Sequence, residues 1–154
     1  MKSYYKYIFF LLALLWMVLI FTLSDQPRAE SRVLSLNLTE KVMTTIKKVS
    51  PQLEVSEVRL HHLIRKSAHF FAYCFLGILV CFAIKRMKLT QARGIGLALT
   101  ICILFAISDE THQLFVSGRG AEIKDVVIDS AGASLGIGLY LCMANLVKRF
   151  SKDV

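Results

Sequence analysis

The sequence predicts an all-α integral membrane protein with four transmembrane helices and an amphipathic helix in the loop between the first and second. Three observations predict this class. Hydrophobic residues make up 55% of the 154 positions and mean hydropathy is +0.56, above the apolar share of a soluble domain. The apolar residues are gathered into four segments, each near the ~20 residues that cross a hydrocarbon core as a helix. The runs are solidly apolar, where a membrane β-barrel would alternate. The expected organisation is a single membrane domain over residues 1–154.

The first segment, "YIFFLLALLWMVLIFTL" (7–23), follows Lys2 and Lys6. A signal peptide has the same order of charge and apolarity, but its apolar stretch runs about 7 to 15 residues. The 17 residues here, followed by "SDQPRAES" with no clean small-x-small cleavage site, are read as an uncleaved first span. In the loop 24–66, Leu34, Leu38, Val42, Ile46 and Val49 recur at helical spacing, with Arg32, Glu40, Lys41, Lys47 and Lys48 on the other face. That is an amphipathic helix, ended by Ser50-Pro51, since a residue before proline is pushed out of helical conformation. A further helix is expected to begin near Ser56 and run into the second span, 67–84.

The third span is expected over 94–116 and the fourth over 126–147. The fourth holds Gly132 and Gly136 four apart, with Ser130, Ser134 and Gly138 on a neighbouring stripe. Small residues at this spacing let helix backbones approach closely in lipid. Packing within the bundle is the simpler reading, with a homo-oligomer as the other. The four cysteines (Cys74, Cys81, Cys102, Cys142) all lie in apolar spans and are expected as buried thiols without a redox or zinc role.

The net charge of +8 would suit nucleic acid if the basic residues were gathered in one place. They are distributed by topology instead. Nine Lys and Arg fall on the short flanks of one side and two in the short loop opposite, with eight in the long first loop. The positive-inside bias of the short flanks therefore predicts both termini in the cytoplasm and the first loop outside. No nucleic-acid partner is expected.

This topology brings four polar helix ends to the outer face. Ser24, Asp25 and Gln26 end the first span, and Arg65, Lys66, His69 and Tyr73 open the second. Asp109, Glu110, His112 and Gln113 end the third, and Asp125 and Asp129 open the fourth. Helical spacing groups Arg65, His69 and Tyr73, groups Asp125 with Asp129, and places Asp109 beside His112 and Gln113. Asp129 lies ~6 Å deeper than Asp125, as His69 does relative to Arg65. A carboxylate that deep costs about 2.5–3.5 kcal/mol even on insertion scales, so it needs a partner or water. Arg65, Lys66 and Arg119 are the expected partners of Asp109, Glu110, Asp125 and Asp129.

The stretches "RKSAHFFAYCFLG" and "SDETHQLFVSGRGAEIKDVVIDSAGASLG" resemble the VanZ-like family of small bacterial membrane proteins. The pattern of that family is a basic pair, then His and Tyr in one span, then Asp-Glu-x-x-Gln, a Gly-Arg loop and Asp-x-x-x-Asn-x-x-Gly. Its positions fall on Arg65, Lys66, His69, Tyr73, Asp109, Glu110, Gln113, Arg119 and Asp125. Where the family usually has Asn this chain has Asp129, and "SGRGAEIKD" lacks the proline often found before the Gly-Arg pair. The resemblance implies a part in resistance to the glycopeptide teicoplanin, which acts at the cell wall.

Two functional classes compete for these residues. The favoured one is an outward pocket for the headgroup of a membrane lipid or lipid-linked cell-wall precursor, with Arg65, Lys66 and Arg119 meeting phosphate or carboxylate and Tyr73 and Gln113 ordering hydroxyls. The alternative is a hydrolase or transferase acting on a lipid-linked substrate. There His69 or His112 beside Asp109, Glu110 or Asp125 forms an acid–base pair, and Ser24 and Ser108 are nucleophile candidates by position alone. No Gly-x-Ser-x-Gly elbow, P-loop or dinucleotide fingerprint occurs. A network that only locks the helices together needs fewer groups than are present. No cofactor is expected, and no metal, because no His-x-x-x-His or Glu-x-x-His spacing occurs and Glu110 and His112 diverge on their helix.

Overall fold

The computed structural model describes residues 5–25, 41–45, 48, 56–85, 87, 89–116, 120 and 122–151. Four long helices carry the fold: α1 (Tyr5–Ser24), α2 (Glu57–Ile84), α3 (Gln91–Gln113) and α4 (Ile123–Phe150). Within them Tyr7–Ser24, Val58–Ile84, Gln91–Gln113 and Ile123–Phe150 are long and apolar enough to cross a membrane, and no strand occurs among the described residues. The chain is a multi-pass membrane protein. In lipid only such internally hydrogen-bonded segments, or closed barrels, satisfy the backbone.

The helices exceed the apolar segments that announce them. α2 starts one residue after Ser56 and carries its first, polar turns continuously into the span. α3 is capped by Thr90, whose side chain accepts from the Arg93 backbone N–H at 3.4 Å. It stops at Gln113, short of the expected Val116: Leu114 and Phe115 form a turn and Val116 a bend. Residues 41–45 of the first loop are helical, and the Thr45 hydroxyl donates to the Lys41 carbonyl at 2.9 Å. Apart from residue 48, which is also helical, the rest of the expected amphipathic helix, including Leu34 and Leu38, lies outside the described residues.

α2 is the hub. It packs against α1, α3 and α4, while α1 and α4 do not touch. Its most extensive pairing is with α4, and glycine makes that pairing possible. A Cβ on Gly132 would collide with the Phe70 carbonyl, one on Gly136 with the Cys74 carbonyl, and one on Gly77 with the Ala133 carbonyl. Backbone meets backbone at three points, as small residues permit in membranes. Gly138, on the neighbouring stripe, meets nothing within 4 Å and takes no part in this contact.

α1 is held mainly by aromatic contacts to α2. Trp16 Nε1 donates to the Ala72 carbonyl at 2.9 Å and its ring meets Phe75 edge-on at 4.7 Å. Phe9 stacks on Phe82 at 4.8 Å. The rest of α1 turns Leu11, Leu15, Val18 and Leu23 outward, an apolar exterior suited to lipid. Cys74, Cys81 and Cys102 are buried free thiols, but Cys142 is exposed, against expectation. It lies on the last turns of α4, beyond the glycine contact, where most side chains face outward.

Gly136→Val should cost about 1–3 kcal/mol or more through overpacking, read as a lower unfolding temperature and loss of monodispersity in detergent. Gly138→Ala should be neutral or slightly stabilising.

Candidate functional site

The end of the bundle where α1 and α3 finish and α2 and α4 begin collects the polar side chains. Local sequence sets which of them point inward. On α3, Asp109, Glu110 and Gln113 share the face that also buries Ala98, Cys102 and Ala106. On α4, Asp129 precedes Gly132, Ala133 and Gly136 on the buried face. On α2, His69 lies one turn before the fully buried Tyr73.

Contacts between helices follow from these faces. Lys66 Nζ lies 2.6 Å from Asp125 Oδ1 and 3.4 Å from Glu122 Oε2, tying α2 to the start of α4. The Glu110 carboxylate accepts the backbone N–H of Glu122 at 2.5 Å. Asp109 Oδ2 accepts from the buried Ser24 hydroxyl at 2.9 Å, joining α3 to α1. His69 Nδ1 faces Asp129 Oδ2 at 3.8 Å, longer than a hydrogen bond. Tyr73 Oη, Asp109 Oδ1 and Asp129 Oδ1 are buried without a hydrogen-bond partner among the described residues.

Arg65, Lys66, His69, Glu110, Gln113, Asp125, Ile128 and Asp129 line a cavity of about 10 Å³, room for about one water molecule. Arg65 forms no ion pair among the described residues. Seven of the ten expected binding residues line this cavity, Tyr73 and Asp109 are buried at the same end of the bundle, and Arg119 lies outside the described residues.

The expected partnerships are partly rearranged. Lys66 does meet Asp125, but Glu110 uses a backbone amide and Asp109 a serine in place of a basic side chain. His112 does not pair with Asp109 one turn back. It turns to the rim, where Nε2 lies 3.0 Å from Asp25 Oδ1 and the ring stacks on Phe21 at 4.2 Å. Ser108 is exposed, away from the cluster. Glu122, which supplies both an amide and a carboxylate, was not among the expected site residues. Its signal was its place directly before the last helix, where N–H groups are left free for an acceptor.

At the opposite end, α2, α3 and α4 border a cleft of about 630 Å³. It is lined by apolar side chains such as Phe82, Ile95 and Leu141, with Lys85 and Lys148 among its polar members. Among the described residues no carboxylate lines it.

A family model described as VanZ/LLP1 matches residues 9–146, from α1 to near the end of α4. No curated protein and no solved structure matches the chain.

The Lys66–Asp125 contact is testable by a double-mutant cycle. With side-chain exposures of 18% and 17% the pair is less than fully buried, so Lys66→Ala should cost roughly 2 kcal/mol, below the ~3–5 of a wholly buried pair. Lys66→Met combined with Asp125→Leu should recover most of that loss, measured by thermal unfolding in detergent.

Proposed function

The chain belongs to the VanZ/LLP1 family, and on that premise we propose that it binds the anionic headgroup of a membrane lipid or lipid-linked cell-wall precursor. In this reading it is a multi-pass protein of the bacterial cell membrane with both termini cytoplasmic, and its polar end faces outward. The process served is glycopeptide resistance, with teicoplanin as the agent the family resemblance implies. Topology rests on the distribution of basic residues, nine against two on the short flanks and loop.

The observation that carries the binding reading is Arg65: half-buried beside the cavity, without a carboxylate partner among the described residues, while Lys66 next to it is engaged twice. A guanidinium in that position suits bidentate contact with phosphate or carboxylate. The cavity's 10 Å³ admits no headgroup. The ligand's charged group therefore rests at the mouth, on Arg65, and the inner carboxylates, Gln113 and Tyr73 support the floor beneath it.

A hydrolase or transferase acting on a lipid-linked substrate is the second reading. It is favoured by the Ser24 hydroxyl, which already donates to Asp109 at 2.9 Å, so a base stands within reach of a candidate nucleophile. Turnover of a co-purified lipid by the wild type, lost in Ser24→Ala, would move this reading ahead.

Mass spectrometry of lipids and wall precursors co-purified in mild detergent should find one headgroup-defined species on the wild type. That species should be depleted at least several-fold on Arg65→Ala and on Arg119→Ala. Bulk lipid alone on all three proteins would remove the binding reading. In a Cys142→Ser background, Gln52→Cys should react with impermeant maleimide in intact cells and Gln91→Cys should not; the reverse pattern would invert the topology.

A further inference from the structure

The two deepest carboxylates have no fixed cation. Asp109 and Asp129 are 1% and 3% exposed, yet among the described residues neither forms an ion pair with a lysine or arginine. Lys66 is held by Asp125 and Glu122 nearer the helix ends. What Asp129 does face is His69, and His69, Asp109 and Asp129 each offer a ligand atom within 4.8 Å of the others. Within a membrane, two such carboxylates cost several kcal/mol unless their charge is offset.

The geometry points to a divalent cation of the zinc or manganese class held between His69, Asp109 and Asp129. One imidazole nitrogen and two carboxylate oxygens are donors that such ions accept. Donors about 2.0–2.2 Å from an ion lie roughly 3–3.5 Å apart. The donor atoms, within 4.8 Å of one another, stand only about 1 Å further apart than ligation requires.

Three further features converge on the same point. Asp109 Oδ1, Asp129 Oδ1 and Tyr73 Oη are buried and without hydrogen-bond partners among the described residues. The tyrosine is 0% exposed, one turn beyond His69, with its hydroxyl in electrostatic range of both carboxylates. A buried polar group left unsatisfied costs about 1–3 kcal/mol; an ion ligated by the two oxygens, with its water bonded to the hydroxyl, satisfies all three. The Ser24 hydroxyl holds the other Asp109 oxygen at 2.9 Å, the orienting support that metal-binding side chains commonly receive. The adjoining cavity of about 10 Å³ is bordered by His69 and Asp129 and gives that water a place.

Charge agrees. Asp109, Glu110, Asp125 and Asp129, with Glu122 at the rim, stand against Arg65 and Lys66, and a doubly charged ion offsets most of that negative excess with His69 neutral, the form in which it ligates. The sequence expectation of no metal rested on spacing along single helices. These three ligands come from three helices, and no such spacing displays them. The ion is defined by protein ligands alone and does not depend on the headgroup reading. It also lessens the repulsion that four carboxylates would exert on an anionic headgroup.

The test uses the full chain in detergent, stripped with a chelator, reloaded with Zn²⁺ or Mn²⁺ and passed through gel filtration before elemental analysis, with no lipid added. The expected result is about one ion per chain, with affinity lowered at least ~10-fold in His69→Ala and in Asp129→Asn. Co²⁺ loading of the wild type should give a visible ligand-field band, which decides the matter if either variant fails to fold. A folded wild type that retains none of the three ions overturns the site and leaves the carboxylates neutralised by protons. Stoichiometric binding unchanged in folded forms of both variants places the ion elsewhere and overturns it equally.

Discussion

The close approach of α2 and α4 is the constraint on which the rest of the molecule depends. Gly132 rests against the Phe70 carbonyl and Gly136 against that of Cys74, so two helices that enter from the same end are locked in one register. That register also places Lys66 opposite Asp125 and His69 opposite Asp129. Glycine packing and polar pairing are thus one geometric fact. A shift of a single residue along either helix would drive side chains into the backbone contact and separate the polar pairs together.

Around this pair the other helices supply what it lacks. α3 brings Asp109, Glu110 and Gln113 to the polar end, and α1 covers Asp109 with Ser24 while presenting an apolar exterior. Satisfaction of the carboxylates falls with depth. Asp125 meets Lys66 and Glu110 meets an amide, both near the helix ends; further in, Asp109 has one hydroxyl and Asp129 only a histidine at 3.8 Å. In a merely structural network the deepest groups would be the best paired, because desolvation is costliest there. The inverse arrangement is the one the proposed cation would answer.

Asp129 sharpens that point. The family pattern usually carries Asn at this position, a neutral partner for a histidine. The carboxylate here instead faces both His69 and the Asp109 cluster from a nearly inaccessible position, which makes this chain's site more acidic than the pattern implies.

Much of this was legible in the sequence because it is local. Apolar length determined four spans, helical spacing determined that Arg65, His69 and Tyr73 share a stripe, and Gly132 with Gly136 marked a close contact. The continuous start of α2 after Ser56 was equally legible. Composition could not show that α3 stops at Gln113, because Leu114, Phe115 and Val116 are as apolar as the span before them. Nor could it show Cys142 facing outward, since an apolar span reads alike on all its faces. Partner choice was decided only in three dimensions: His112 left Asp109 for Asp25, Glu110 took a backbone amide, and three ligand-type residues from three helices met. The sequence by itself determined the spans and the end at which polar residues collect, since those depend on neighbours along the chain. Only the tertiary structure decided which charges are answered and which are not, because that depends on the rotation and register of one helix against another.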